Sequence, residues 1–153
     1  ERCIPFLKKA KLIGDTLDDH TRAVLTKVID AAADRIKLFS DVLAFARPVL
    51  NTKVEYDAKA VEKAFKDAKN PQAKELVKEF AGVLAGCDPF DAATTDKVAH
   101  DFLAAKGIKL GALQLPLRVA VTGTGVGFGL FDTLAVLGKE TVLKRIETTL
   151  AKV

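Results

Sequence analysis

Apolar residues recur every three or four positions along most of this chain. Leu25, Val28, Ile29, Ala32, Ile36, Phe39, Leu43 and Ala46 form one stripe at helical period, interrupted only by the adjacent pair 28 and 29. The stripe predicts a single long helix. Asp19 or Thr21 is expected to cap its start, and Pro48 to end it, because proline disfavours helix at the residue before it. Upstream, "IPFLKKAKL" predicts a short helix ending at Gly14. Downstream, "NTKVEY" reads as a linker, and Asp57 as the cap of a helix carrying Val61, Ala64, Phe65 and Ala68. Asn70-Pro71 is punctuation, with proline at a first helical position. Ala73, Leu76, Val77, Phe80, Ala81 and Leu84 make the next stripe, and a further helix is expected from Thr94 to Lys106, ending at Gly107. Only residues 51 to 56 and 119 to 122 have strand character. The expectation is an all-α fold of about eight helices, a helical bundle of two small subdomains divided near Asn70-Pro71 into residues 1–70 and 71–153.

One segment breaks the helical pattern. "LRVAVTGTGVGFGLFDTLAVLG" runs from an apolar series into glycine at 123, 125, 127 and 129 and then back into helical spacing. A dinucleotide fingerprint needs Gly-x-Gly-x-x-Gly after a strand. Counted from Gly123 the third glycine falls on Phe128, and from Gly125 it falls on Leu130, so the spacing misses both ways. No Gly-Lys-Ser/Thr occurs to make a phosphate-binding P-loop. The segment reads as an irregular loop between helices, whose glycines permit positive φ.

Other chemistry is sparse. The lone serine, Ser40, lies in the register of the long stripe, and the histidines His20 and His100 read as solvated or capping groups. Asp18, Asp19, Asp88 and Asp91 read as caps and loop polarity, and no zinc spacing occurs. Cys3 and Cys87 are expected as reduced thiols of a cytosolic protein. No apolar run of about 18 residues exists for a membrane span. The net charge of +4 permits a polyanionic partner without demanding one. Lys8, Lys9 and Lys11 cluster, and Lys59, Lys63 and Lys66 recur at helical spacing, as solvated faces do. Arg35, beside Ile36, and Arg118, just before the glycine loop, are more informative. An arginine near apolar surface holds a planar fork ready for a base or phosphate, or else pairs with a nearby aspartate.

The order of these features resembles the carboxy-terminal end of bacterial-type glutamyl-tRNA synthetases, class I enzymes. The matching residues are Lys109-Leu110-Gly111, Pro116-Leu117-Arg118, Thr122-Gly123, Gly129-Leu130-Phe131-Asp132, Leu137-Gly138-Lys139-Glu140 and Arg145-Ile146. "IPFLKKAKL" is similar to the helix after that family's catalytic and stem-contact regions. "DRIKLFSDVLAFA" is similar to its helix with an Arg-x-x-x-Leu-like signature, with Phe39 at the leucine position. The family's two ATP-site signatures do not occur. With no methionine and a start at Glu1, the expectation is a fragment of a longer enzyme.

The resemblance implies an anticodon-binding α-helix cage, with Arg35 on the third anticodon base and Arg118 on the first. The partner implied is glutamate tRNA, bound by a cytoplasmic monomer with no DNA or membrane partner. The parent would be an ATP-dependent glutamate–tRNA ligase using ATP and Mg²⁺, while these residues hold no catalytic site or cofactor. Gly127 and Phe128 stand where the family often carries a small residue and proline against the first base, and "RPVL" stands where it often has aromatic residues. Phe128 either stacks on a base or anchors the loop, and the glycines let the backbone approach the first base. Two rivals remain open: a helical interaction module that binds no RNA, and a nucleotide-binding enzyme using the Gly123–Gly129 loop.

Overall fold

A computed structural model describes residues 2–38, 41–51 and 53–153. Among them are nine α-helices and no strand: α1 (Ile4–Lys9), α2 (Asp19–Ala31), α3 (Val42–Leu50), α4 (Ala58–Phe65), α5 (Ala73–Ala85), α6 (Ala92–Lys106), α7 (Leu110–Thr122), α8 (Leu130–Leu137) and α9 (Lys139–Leu150). The all-α expectation holds, with one more helix than anticipated.

The long apolar stripe is where sequence and structure part. It is two helices, with a 3-10 turn at Ala33–Arg35 and extended backbone at Ile36 between them. Asp41 supplies a reason: its Oδ2 accepts from the backbone N–H of Lys37 at 3.1 Å and Leu38 at 2.9 Å. A carboxylate that satisfies those donors competes with the helical ladder. Leu25, Val28 and Ala32 before the break and Val42 and Ala46 after it still reach one core, so the stripe's burial survives although its straightness does not. Phe39 and Ser40, both expected on the stripe, lie outside the described residues, as do Glu1 and Thr52.

Several boundaries move. α1 stops at Lys9, well before Gly14, as Lys11 turns into the left-handed region at φ 55°. Asp18, not Asp19 or Thr21, caps α2, its Oδ1 accepting from Thr21 N–H at 2.8 Å. Pro48 sits inside α3, and α5 begins at Ala73, beyond Pro71. Residues 119 to 122 form the last turn of α7, all buried; packing on every side outweighs their β-branched preference. Asp57, Asp91 and Gly107 behave as read: the two aspartates cap α4 and α6, and Gly107 closes α6 at φ 66°. Both cysteines are free and buried.

The buried apolar residues fall into two clusters. One joins Cys3, Leu7, the α2 and α3 residues above and Phe128. The other gathers α5 to α9 around Phe80, Leu84, Leu113, Leu117, Leu134 and Ile146. α4 packs on α7 and α5, and Asn70 Nδ2 donates to the Ala112 carbonyl at 2.7 Å, tying the turn before α5 to α7. Arg145 links the clusters. It is buried, and its guanidinium donates to the carbonyls of Pro48 (2.6 Å), Val121 (2.8 Å) and Asn51 (2.8 Å). Burial lowers its pKa. Carbonyl dipoles hold that cation in place of a carboxylate.

Candidate nucleic-acid interface

The glycine loop, residues 123 to 129, joins α7 to α8. It follows a helix, so it lacks the strand that a dinucleotide cradle requires. Gly123 opens it at φ 79°, and a Cβ there would lie 2.1 Å from the Glu55 carbonyl oxygen. The Gly123 carbonyl in turn accepts from Asp57 N–H at 2.8 Å. The other three loop glycines do not use positive φ, which narrows the sequence expectation to one residue. Beyond Gly123 the loop bonds to itself. Thr122 Oγ1 bonds to the carbonyls of Arg118 (2.7 Å) and Thr124 (3.1 Å), and Thr124 Oγ1 donates to the Val126 carbonyl at 2.9 Å.

Two arginines far apart in sequence converge on this loop. Arg118, half-buried on α7, donates through Nη1 to the Phe128 carbonyl at 2.7 Å. Arg35, exposed at the end of the 3-10 turn, donates through Nη1 to the Gly127 carbonyl. The break in the long stripe thus has a consequence: it turns Arg35 back toward the loop. Burial, and then the Arg35 charge, lower the Arg118 pKa. Neither arginine pairs with a carboxylate among the described residues, so the aspartate pairing that sequence left open is not what holds them. Two like charges face adjacent carbonyls, and most of their N–H donors remain unspent.

Gly127 fits this arrangement closely, for a Cβ there would meet Arg118 Nη1 at 3.0 Å. Phe128 faces inward. Its side is 2% exposed, and its ring lies 6.1 Å from that of Phe45 at a 55° tilt. In this conformation the ring anchors the loop on α3, and its backbone carbonyl points to Arg118.

Two residues at the site escaped the sequence reading. Val126, between glycines, is 80% exposed at the loop tip. Gln114 is exposed one turn before Arg118 on α7. Both line an open cleft of about 420 Å³ with Arg118, Leu115 and Gly127. The one available signal was the i, i+4 spacing of Gln114 and Arg118, which sets them on one helix face. His20 and His100 are exposed and remote in role; His100 Nε2 lies 3.3 Å from Asp96 Oδ1, one turn away on α6.

A family model described as an anticodon binding domain matches residues 1–150. The glutamate–tRNA ligase of Herpetosiphon aurantiacus is 32% identical over 154 residues, covering 99% of this chain and 30% of that protein. That of Moorella thermoacetica is 32% identical over 144 residues, covering 94% and 29%. A crystal structure of a glutamate tRNA ligase from Elizabethkingia meningosepticum, in complex with its amino acid, superposes with a TM-score of 0.78 at 23% identity, over 98% of this chain and 28% of that one; at that identity the likeness shows the fold. The chain spans less than a third of the length of the relatives it matches.

Proposed function

Because the chain belongs to the anticodon-binding domain family, we propose that it grips the anticodon loop of glutamate tRNA, as the carboxy-terminal region of a glutamate–tRNA ligase. The observation that carries this reading is the convergence of Arg35 and Arg118 on adjacent carbonyls of one loop, without a carboxylate for either. Anticodon bases are unstacked, and their Watson–Crick edges are exposed. Pyrimidine carbonyls accept hydrogen bonds, and a guanidinium can offer two parallel donors. Arg118 addresses the first anticodon base and Arg35 the third.

The surrounding residues support those two. Gly127 leaves room for Arg118 Nη1. Phe128 works from behind, fixing the carbonyl that orients Arg118, while exposed Val126 takes the apolar contact to a base. Gln114 adds an amide that can donate and accept. We read the two buried clusters as two subdomains whose membership differs from the expected division at residue 70: α4 goes with α7 in the second, and Phe128 joins the first. The first-base and third-base arginines then come from different subdomains, and the base triplet lies across their junction.

Among the described residues no three His, Cys, Asp or Glu side chains gather for a metal, and such a ligase would use ATP and Mg²⁺. We assign that chemistry to the rest of a longer enzyme, acting as a monomer in the cytoplasm. No helix among the described residues is long and apolar enough to cross a membrane.

The test uses anticodon stem-loops with the cognate triplet or one base changed at the first or third position. Wild type is expected to prefer the cognate RNA. Arg118→Ala flattens the preference at the first base and Arg35→Ala at the third, each by about 1–3 kcal/mol on the scale of bidentate arginine readout. Equal, weak binding of every RNA by wild type overturns the reading.

A further inference from the structure

A cleft larger than the one beside Arg118 lies elsewhere among the described residues. It measures about 600 Å³ and lies between the end of α3, the segment leading to α4, and α9. Lys53, Lys144 and Lys152 line it, with Arg145 behind them and Glu140 as its one carboxylate. Lys144 and Thr148 stand one turn apart on a side of α9, and Lys152 lies in the turn just past the end of that helix. None of the three lysines forms an ion pair with a described residue. Lys152 Nζ instead lies over the Tyr56 ring, 4.7 Å from its centroid, and Tyr56 Oη is fixed by Thr149 Oγ1 at 2.8 Å. Arg145 commits three of its five donors to carbonyls, so its charge adds to the field while those hydrogen bonds hold the floor. Positive charge gathered in a concave, partly apolar site attracts an anion more strongly than the same charge spread over a convex face.

We propose that this cleft holds the RNA sugar–phosphate backbone flanking the anticodon bases, through Lys53, Lys144 and Lys152. The inference rests on the anticodon reading above and extends it from bases to phosphates. Continuity favours RNA over an acidic protein. The last turn of α3 separates the cleft from the loop: Val49 lines the cleft on one side and, with Pro48, the wall against Phe128, Gly127 and Arg118 on the other. A strand held at the loop has only that one turn of α3 to cross to reach the cleft. Lysine ammonium groups suit phosphates as compact point charges, while the base-reading side carries the planar guanidinium forks. The half-buried Tyr56 ring offers a sugar or base a face to rest on.

The test is a salt titration of anticodon stem-loop binding. It compares wild type, the triple variant Lys53→Ala, Lys144→Ala, Lys152→Ala, and a control triple at exposed Lys9, Lys63 and Lys69, outside the cleft. Three lost contacts to single-stranded phosphates make the slope of log affinity against log salt shallower by about 2. Affinity at the lowest salt falls at least tenfold, and the ratio of cognate to anticodon-swapped affinity stays within twofold of wild type. A slope equal to wild type, or an equal loss in the control triple, overturns the proposal. So does a triple variant that binds RNA normally but loses binding to a polyglutamate peptide, which would make the cleft a protein dock. Wild type with no anticodon preference fails the anticodon reading, and with it the claim that these phosphates flank an anticodon. Intact preference with lysine-independent affinity fails the cleft alone.

Discussion

Gly123→Ala is the sharpest test of how the loop is built. The residue sits at φ 79°, where an L side chain is strained by about 1–2 kcal/mol. The added Cβ would lie 2.1 Å from the Glu55 carbonyl oxygen and 2.8 Å from its carbonyl carbon. Both are backbone atoms, so no rotamer change relieves the clash, and one segment must retreat by about an ångström. That retreat breaks the 2.8 Å bond from Asp57 N–H to the Gly123 carbonyl, worth about 1 kcal/mol. Overpacking adds at least about 1 kcal/mol, while the stiffer unfolded chain returns about 0.4–1 kcal/mol. The net expectation is a loss of about 3 kcal/mol. For a chain of this size that lowers the melting temperature by about 6–12 °C. Gly107→Ala is the matched control. Its φ is 66°, but nothing lies within 4 Å of the added Cβ, so it carries the strain without the clash; about 1 kcal/mol is expected. Urea unfolding of both variants gives the comparison. If Gly123→Ala costs no more than Gly107→Ala, the close approach of residues 55 and 123 is wrong.

Three further outcomes follow from named contacts. Phe128→Ala should cost about 3–5 kcal/mol by emptying its place beside Phe45. Phe128→Leu should cost about 1 kcal/mol and leave stem-loop affinity within twofold, whereas a stacking role would forfeit about 1–3 kcal/mol of binding. Arg145→Met leaves three carbonyls without their donor and should destabilise by about 3 kcal/mol or more, with Arg145→Lys restoring under half because an ammonium cannot span them. The caps Asp18 and Asp91 have pKa values lowered first by the backbone N–H of Thr21 and Thr94 and then by the hydroxyls of the same residues. A depressed folded pKa gives stability that is full above the ordinary aspartate pKa of about 4 and is lost as pH falls through the folded value. The double variant Asp18→Asn, Asp91→Asn should therefore show a flatter urea midpoint than wild type across that acidic window.

Helix content and most caps were legible because they depend on local chemistry. Asp57 and Asp91 precede helical stripes, and Gly107 follows one, so neighbours in sequence settle them. The break after Ala32 was hidden because apolar period is blind to it: both halves bury the same face. Pro48 and Pro116 lie inside helices, against the usual punctuation; at Pro116, which is buried, packing outweighs the lost ladder bond, while Pro48 is half-buried. At the site, Arg118 was visible beside the loop it serves. Its juxtaposition with Arg35 was not, since it depends on the chain reversing between them. The direction of the Phe128 ring was undecidable from a glycine-flanked aromatic, and the partner that decides it, Phe45, lies on another helix. Arg145 looked like the end of a motif and is a buried tie between the two clusters, because its three acceptors are backbone carbonyls that no side-chain pattern announces.

The central claim is that this chain covers the anticodon bases themselves. Chemical probing of full-length glutamate tRNA, with and without the chain at saturation, measures that directly. The account predicts protection of the Watson–Crick edges at the first and third anticodon positions, with Arg118→Ala restoring reactivity at the first and Arg35→Ala at the third, and unchanged reactivity along the acceptor stem. Unchanged anticodon reactivity, or protection spread evenly over the tRNA, would contradict it.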